Sequence, residues 1–181
     1  MSQYVALLRG VNVGGKNLIR MTDLEACFEE RGFRSVATYI QSGNVLFESN
    51  GASEATLVRE IEDMLTAAFR YRASVLLRSR QQMRQGVRRA PYGFGAHAQQ
   101  YRYDVVFLQP PLTAATAIKV VPTRQGVDEA HAGPGVLYFS RLASRASQSR
   151  LSRIVSLPIY QSMTIRNWNT TTRLLQLMDE R

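Results

Sequence analysis

In the first eighty residues two kinds of apolar periodicity alternate in a fixed order, and that order constrains the fold more than any other feature. Tyr4 to Leu8 is an unbroken apolar run of strand length, which predicts a central strand covered on at least one face and flanked on both sides. Leu24, Cys27 and Phe28 then share one helical face ahead of Gly32, and Thr22-Asp23-Leu24-Glu25 has the spacing of a capping box, so a helix is expected to start at Thr22. Cys27 reads as a small core residue. Val36 to Ile40 and Val45 to Phe47 flank Ser42-Gly43 and predict a hairpin. Ser53 is placed to cap a second helix whose stripe is Leu57, Val58, Ile61, Met64, Leu65, Ala68 and Phe69, and Ser74 to Arg78 supplies a further strand.

The order β-α-β-β-α-β is the split pattern of the ferredoxin-like fold. In that topology the first two strands run parallel with the third between them. The loop Arg9 to Asn17 and the turn Gln41 to Asn44 are therefore expected at the same end of the sheet. Residues 80–181 read as a second, degenerate α+β subdomain packed on the ferredoxin-like subdomain 1–79. It comprises a polar helix Gln81 to Arg89, a strong strand Tyr103 to Leu108 closed by Pro110-Pro111, a short helix Leu112 to Ile118, and strands near Val127 to Ala130 and Val136 to Ser140. Helices are expected at Ser147 to Val155 and Asn167 to Met178. The expected class is α+β, without low-complexity linkers or a direct repeat.

One cysteine and two isolated histidines, His97 and His131, exclude a disulfide framework and a zinc-type cluster, and no cofactor is expected. No apolar run approaches the ~18 residues of a membrane helix, and the start of the chain lacks an export signal, so a cytoplasmic protein without a membrane partner is expected. The formal charge of +9 is uneven: residues 64 to 181 carry seventeen bases and five acids. Such a field attracts phosphorylated small molecules or nucleic acid. Arginine outnumbers lysine 21 to 2, so solvated arginine faces of compositional origin are the competing explanation.

Gly10-Val11-Asn12-Val13-Gly14-Gly15-Lys16 has the spacing of a phosphate-binding loop after a strand, but Asn17 stands where a Ser or Thr would reach magnesium. Nucleotide hydrolysis is disfavoured. The loop either binds an anion through its glycine amides, bracketed by Arg9 and Lys16, or is a tight connection whose glycines supply positive φ. With the neighbouring turn it gathers Arg9, Asn12, Lys16, Asn17, Ser42 and Asn44, donors without a carboxylate or histidine, a set suited to holding an anion rather than moving protons. Thr164 to Thr170 contains Arg166, Asn167, Trp168 and Asn169. Asn167 or Thr164 is placed to cap the last helix with Trp168 packed inward, while Arg166 beside two amides is a fork for a phosphate or carboxylate.

Tyr4-Val-Ala-Leu-Leu-Arg-Gly-Val-Asn-Val-Gly-Gly-Lys-Asn17, Thr38-Tyr-Ile-Gln-Ser-Gly-Asn-Val-Leu-Phe47 and Thr164-Ile-Arg-Asn-Trp-Asn-Thr170, in this order, resemble a bacterial family known only as a domain of unknown function. The resemblance spans almost the whole chain and implies two ferredoxin-like α+β parts. It implies no activity, cofactor or catalytic residue. It also suggests that the two N-terminal loops and the Arg166 to Thr170 segment form one site. The leading expectation is a binding protein for an anionic ligand at this donor-rich edge, comprising Arg9, Asn12, Lys16, Asn17, Ser42, Asn44, Arg166, Asn167 and Asn169. The alternatives are a small-molecule enzyme using the same edge, with Lys16, Ser42 or Arg166 contributing, and an interaction module whose polar motifs serve as caps and turns.

Overall fold

The structure is a computed structural model that describes every residue except Val13, Gly14, Lys16, Asn17 and Tyr71. It forms two compact units, Met1–Gln81 with Gln176–Arg181, and Gln82–Leu175. The first contains β1 (Ser2–Leu8), α1 (Met21–Glu30), β2 (Arg34–Tyr39), β3 (Asn44–Ser49), α2 (Glu54–Phe69) and β4 (Val75–Ser79). Its sheet runs β2-β3-β1-β4 with every neighbouring pair antiparallel, so β1 and β2 are parallel. This is the ferredoxin-like arrangement implied by the order of apolar runs.

Ala6 and Leu8 of β1 face Leu24 and Phe28 of α1 and Leu57, Ile61 and Leu65 of α2. Phe28, Phe33 and Phe47 knit this core with ring centroids 4.8 to 5.5 Å apart. Val5 and Leu7, on the opposite face of β1, are buried too, which accounts for an unbroken rather than alternating apolar run. Both helices also tie edge strands through carboxylates. Glu25 accepts from the Thr38 amide at 2.7 Å and hydroxyl at 2.8 Å, and Glu62 accepts from the Val75 amide at 2.9 Å. That use of Glu25 corrects the expected capping box: α1 is capped by Arg20 with no side-chain cap, Thr22 lies inside the helix, and the glutamate reaches sideways to β2. Ser53 does cap α2, accepting from the Thr56 amide at 3.2 Å.

The chain passes from the first unit to the second within α3 (Arg80–Arg88). Beyond it lie β5 (Tyr101–Leu108), α4 (Ala114–Ala117), β6 (Asp128–Gly133), β7 (Val136–Leu142), β8 (Met163–Asn167) and α5 (Trp168–Asp179), whose last residues belong with the first unit. The second sheet runs β6-β7-β5-β8, again antiparallel throughout. Strand for strand this repeats the first topology, with α4 and a run of 3-10 turns at the two crossovers. Val106, Leu108, Leu137 and Phe139 pack there with Ala117, Leu151 and Ile154.

The α-helix expected over Ser147 to Val155 is absent. Three 3-10 segments, Ala143–Gln148, Leu151–Ser156 and Pro158–Ser162, take its place. Side chains here compete for backbone groups that an α-helix would use. Ser149 Oγ accepts from the Leu151 amide, Ser156 Oγ donates to the Arg153 carbonyl, and Asp128 accepts from the Arg150 amide. Pro158 then removes a donor. Strand β8, at Met163–Asn167, was hidden in the sequence by its continuity with the helix that follows.

Gly43 sits where a Cβ would lie 2.9 Å from the Leu8 Cβ, at φ +74°, whereas Gly51 has φ +76° with nothing within 4 Å. Gly51→Ala is expected to cost about 1 to 2 kcal/mol from the left-handed backbone alone. Gly43→Ala adds the clash and is expected to cost about 2 to 4 kcal/mol. Urea denaturation of the two variants gives the comparison; equal losses would refute the packing contribution at Gly43.

Candidate functional site

The first unit brings the loop after β1 and the β2–β3 turn into contact. Asn12, at φ +54°, is the fastener: Oδ1 accepts from the Ile19 amide at 2.8 Å, and Nδ2 donates to the carbonyls of Ile19 at 3.0 Å and Gln41 at 2.9 Å. Its amide thus pairs with Ile19 as a strand residue would and spends its second proton on the turn. The Leu8 amide donates to the Gly43 carbonyl at 2.8 Å, and the Arg9 amide to that of Ser74 at 3.0 Å. Asn44 is fully buried and donates to the Tyr39 carbonyl at 2.9 Å and to Ser42 Oγ at 3.0 Å. Arg9, Asn12, Ser42 and Asn44 are therefore neighbours, but the amides of Asn12 and Asn44 are engaged in shaping the loops. Lys16 and Asn17 lie outside the described residues.

Arg166, Asn167 and Asn169 belong to the second unit, where a recess of about 310 Å³ opens at one end of the sheet. Its cause is a mismatch of strand lengths. β5 pairs with β7 from Tyr101 onward, but with β8 only from Asp104, opposite Asn167, onward. Tyr101, Arg102 and Tyr103 thus extend past the end of β8, and the chain leaves that strand directly into α5, whose Trp168 and Asn169 form the facing wall. Asn167 caps α5, accepting from the Thr170 amide at 2.7 Å, and Thr171 Oγ1 donates back to the Asn167 carbonyl.

Aromatic rings brace the recess. Phe94 meets Tyr103 and Trp168 edge-on, with centroids 4.8 and 5.1 Å apart. Gly95 permits this, because a Cβ there would sit 2.3 Å from the Trp168 indole nitrogen. Arg102 and Arg141 are cross-strand partners, so two guanidinium groups line one wall. Between β7 and β8, Asp104 is only 8% exposed; its Oδ2 lies 3.5 Å from Arg141 Nη2 and has no hydrogen-bond partner. Burial raises the Asp104 carboxyl above the usual carboxylate range, against the attraction of Arg141 and Arg102. With two cations and one carboxyl beside aromatic rings, the recess has the chemistry for an anion that also presents apolar surface.

Of the residues marked from the sequence, Asn167 and Asn169 line this recess. Arg166 does not: it lies on β8, half-buried, with Nη1 on the Ile165 carbonyl at 2.9 Å and its pKa lowered to about 10 by burial, so it stays cationic at neutral pH. Sequence reasoning missed Tyr101, Arg102, Tyr103, Asp104 and Arg141, and read Trp168 only as packing. The available signal was Asp104, a carboxylate at the head of the apolar run Val105 to Leu108. Among the described residues no cluster of three or more His, Cys, Asp or Glu is placed to hold a metal, and no helix is long and apolar enough to cross a membrane.

The raised Asp104 carboxyl gives a stability test. The unfolded carboxyl titrates near 3.8 and the folded one higher, so the folded state keeps a proton that the unfolded state has released. This group's contribution to stability is complete below 3.8 and is lost as pH rises through the folded value. Asp104→Asn removes the titration, and its melting temperature is expected to gain on the parent's as pH rises through this interval. A parent–variant difference independent of pH would contradict the assignment.

No curated protein matches this chain. Among solved structures, the conserved bacterial protein SP0830 from Streptococcus pneumoniae is similar at 26% sequence identity, over 97% of this chain and 98% of that one, with a TM-score of 0.83. The family model described as Protein of unknown function (DUF1697) matches residues 1–138. Three quarters of the sequence falling within that match, the chain belongs to the DUF1697 family.

Proposed function

We propose that the protein binds a small anionic, phosphorylated molecule in the recess between the exposed end of β5 and the start of α5. The observation that carries this is the convergence of Arg102 and Arg141 with Tyr101, Tyr103 and Trp168 in one concavity of about 310 Å³. Small-molecule sites of ~300 Å³ and upward combine apolar walls with a few polar groups that fix orientation. Asn167 and Asn169 supply further donors at its edge. One feature favours a small molecule over nucleic acid: the arginines and rings converge in a concavity and not along an extended groove. The lone thiol, Cys27, packs against the first unit's core, in keeping with a reducing, cytoplasmic setting.

Isothermal calorimetry with inorganic pyrophosphate tests the reading directly. Arg102→Ala is expected to weaken binding about tenfold, the loss of one charge-assisted contact at ~1.5 kcal/mol. Rising ionic strength is expected to weaken the parent and to affect the variant less. Mass spectrometry of molecules released from untagged protein would identify the natural ligand. Absence of pyrophosphate binding at low salt, or oligonucleotide binding untouched by Arg102→Ala, would overturn the proposal.

A further inference from the structure

Tyr101 and Tyr103 wall a second, smaller recess of about 150 Å³, and its chemistry differs from that of the first. Where the larger recess offers Arg102 and Arg141, the smaller is built from Tyr92, Phe94, His131 and Glu129 with the two shared tyrosines. Strand register explains the partition. Tyr103, Ser140 and Glu129 are successive cross-strand partners on one face of the sheet, and Arg102, Arg141 and Asp128 on the other. Tyr101 and Tyr103, two residues apart and so on the same face, have ring centroids 6.2 Å apart and line both recesses at the end of β5 that β8 does not reach. The segment 91–98 contributes to both, Pro91 to Phe94 on the aromatic side and Gly95 and Ala98 on the cationic side.

The aromatic recess is open, and Glu129, His131 and Ser140 line it together with the rings. Tyr92 is fully exposed although it is a large ring, and His131 Nε2 lies 3.8 Å from Glu129 Oε2 with both side chains more than half exposed. Aromatic side chains bind flat heterocycles by stacking on their faces, and a neighbouring donor–acceptor pair reads the ring's edge. An anion subsite and a flat-ring subsite that share a wall match a molecule with a phosphate at one end and a heterocycle at the other.

Building on the anion-binding reading, we infer that the ligand class is a free nucleotide. Its phosphate is held by Arg102 and Arg141, and its base lies in the recess of Tyr92, Phe94 and His131, across the Tyr101–Tyr103 wall. A free nucleotide fits better than an oligonucleotide because the two subsites together accommodate one phosphate group and one base.

The test compares inorganic pyrophosphate, adenosine, AMP, GMP and a single-stranded decamer, read by calorimetry and by the fluorescence of the chain's single tryptophan, Trp168, which lines the anion subsite. At least one nucleotide is expected to bind ten or more times tighter than pyrophosphate or adenosine and to change Trp168 emission. Tyr92→Ala and His131→Ala are each expected to remove much of that gain, roughly five- to tenfold for a lost stacking or edge contact, while leaving pyrophosphate affinity unchanged. Both positions are exposed, so folding is not at risk, and far-UV circular dichroism verifies it. Nucleotides binding no better than pyrophosphate, with both variants neutral, would overturn the nucleotide assignment and leave the anion site standing. Failure of every anion to bind would overturn both. A decamer that binds while mononucleotides do not would replace this assignment with nucleic acid.

Discussion

The second unit's recess depends on one stretch of β5 that β8 does not reach. β5 begins three residues before β8 can meet it; those residues, Tyr101 to Tyr103, pair with β7 on one side, and the Tyr101 amide donates to the His97 carbonyl. An exposed strand edge is a hazard unless something covers or blunts it. Here α5 starts immediately after β8 and swings Trp168 and Asn169 across the gap without filling it. Every feature of the recess follows from this arrangement: arginines on one face, tyrosines at the end, an indole opposite, and Asp104 at the last paired position.

The two units share a topology and differ in what lies against the start of the first strand. β1 also begins before β4 reaches it, since Tyr4 opposite Ser79 is the first pair. Over β1, β3 and β2 in that unit, Met178 and Arg181 join Gln3, Tyr4, Leu46 and Glu48 around a cavity of about 10 Å³, and the Arg181 guanidinium donates to the Ser35 carbonyl. The crossovers differ as well. The first unit uses the sixteen-residue α2, capped by Ser53, whereas the second uses short 3-10 segments whose polar side chains satisfy backbone groups locally.

The legibility of the sequence follows that difference. The first unit could be read because its strands are apolar runs and its helices carry stripes whose residues, Leu57, Ile61 and Leu65 among them, are buried. The adjacency of the Arg9 to Asn17 loop and the Gln41 to Asn44 turn could be derived from topology, and the Asn12 to Gln41 bond realises it. What composition could not reveal was the use of those polar groups. Asn12 and Asn44 look like ligand donors in a list of residues, yet their amides complete the backbone hydrogen bonding of two loops at positions that demand it. The capping box failed for a related reason: Glu25 had a competing acceptor role on β2. In the second unit, residues of the recess come from β5, β7 and α5, and no local spacing announces a cavity made by unequal strand lengths.

Asp104 brings the charge question to a definite point. An arginine-rich chain gains attraction for anions everywhere on its surface, so excess charge alone selects nothing. A buried carboxyl with an unpartnered oxygen beside Arg141 costs stability, and burial of such a group is tolerated only when a neighbouring charge offsets it. That cost has a use in a recess lined by two guanidinium groups. The carboxyl stands 3.5 Å from Arg141 and offsets part of the field of the two guanidinium groups; in the anion site proposed above, both guanidinium groups face the ligand and the acid limits attraction by charge in bulk. In the proposed anion site, selectivity would therefore rest on one costly acid as much as on the arginines around it.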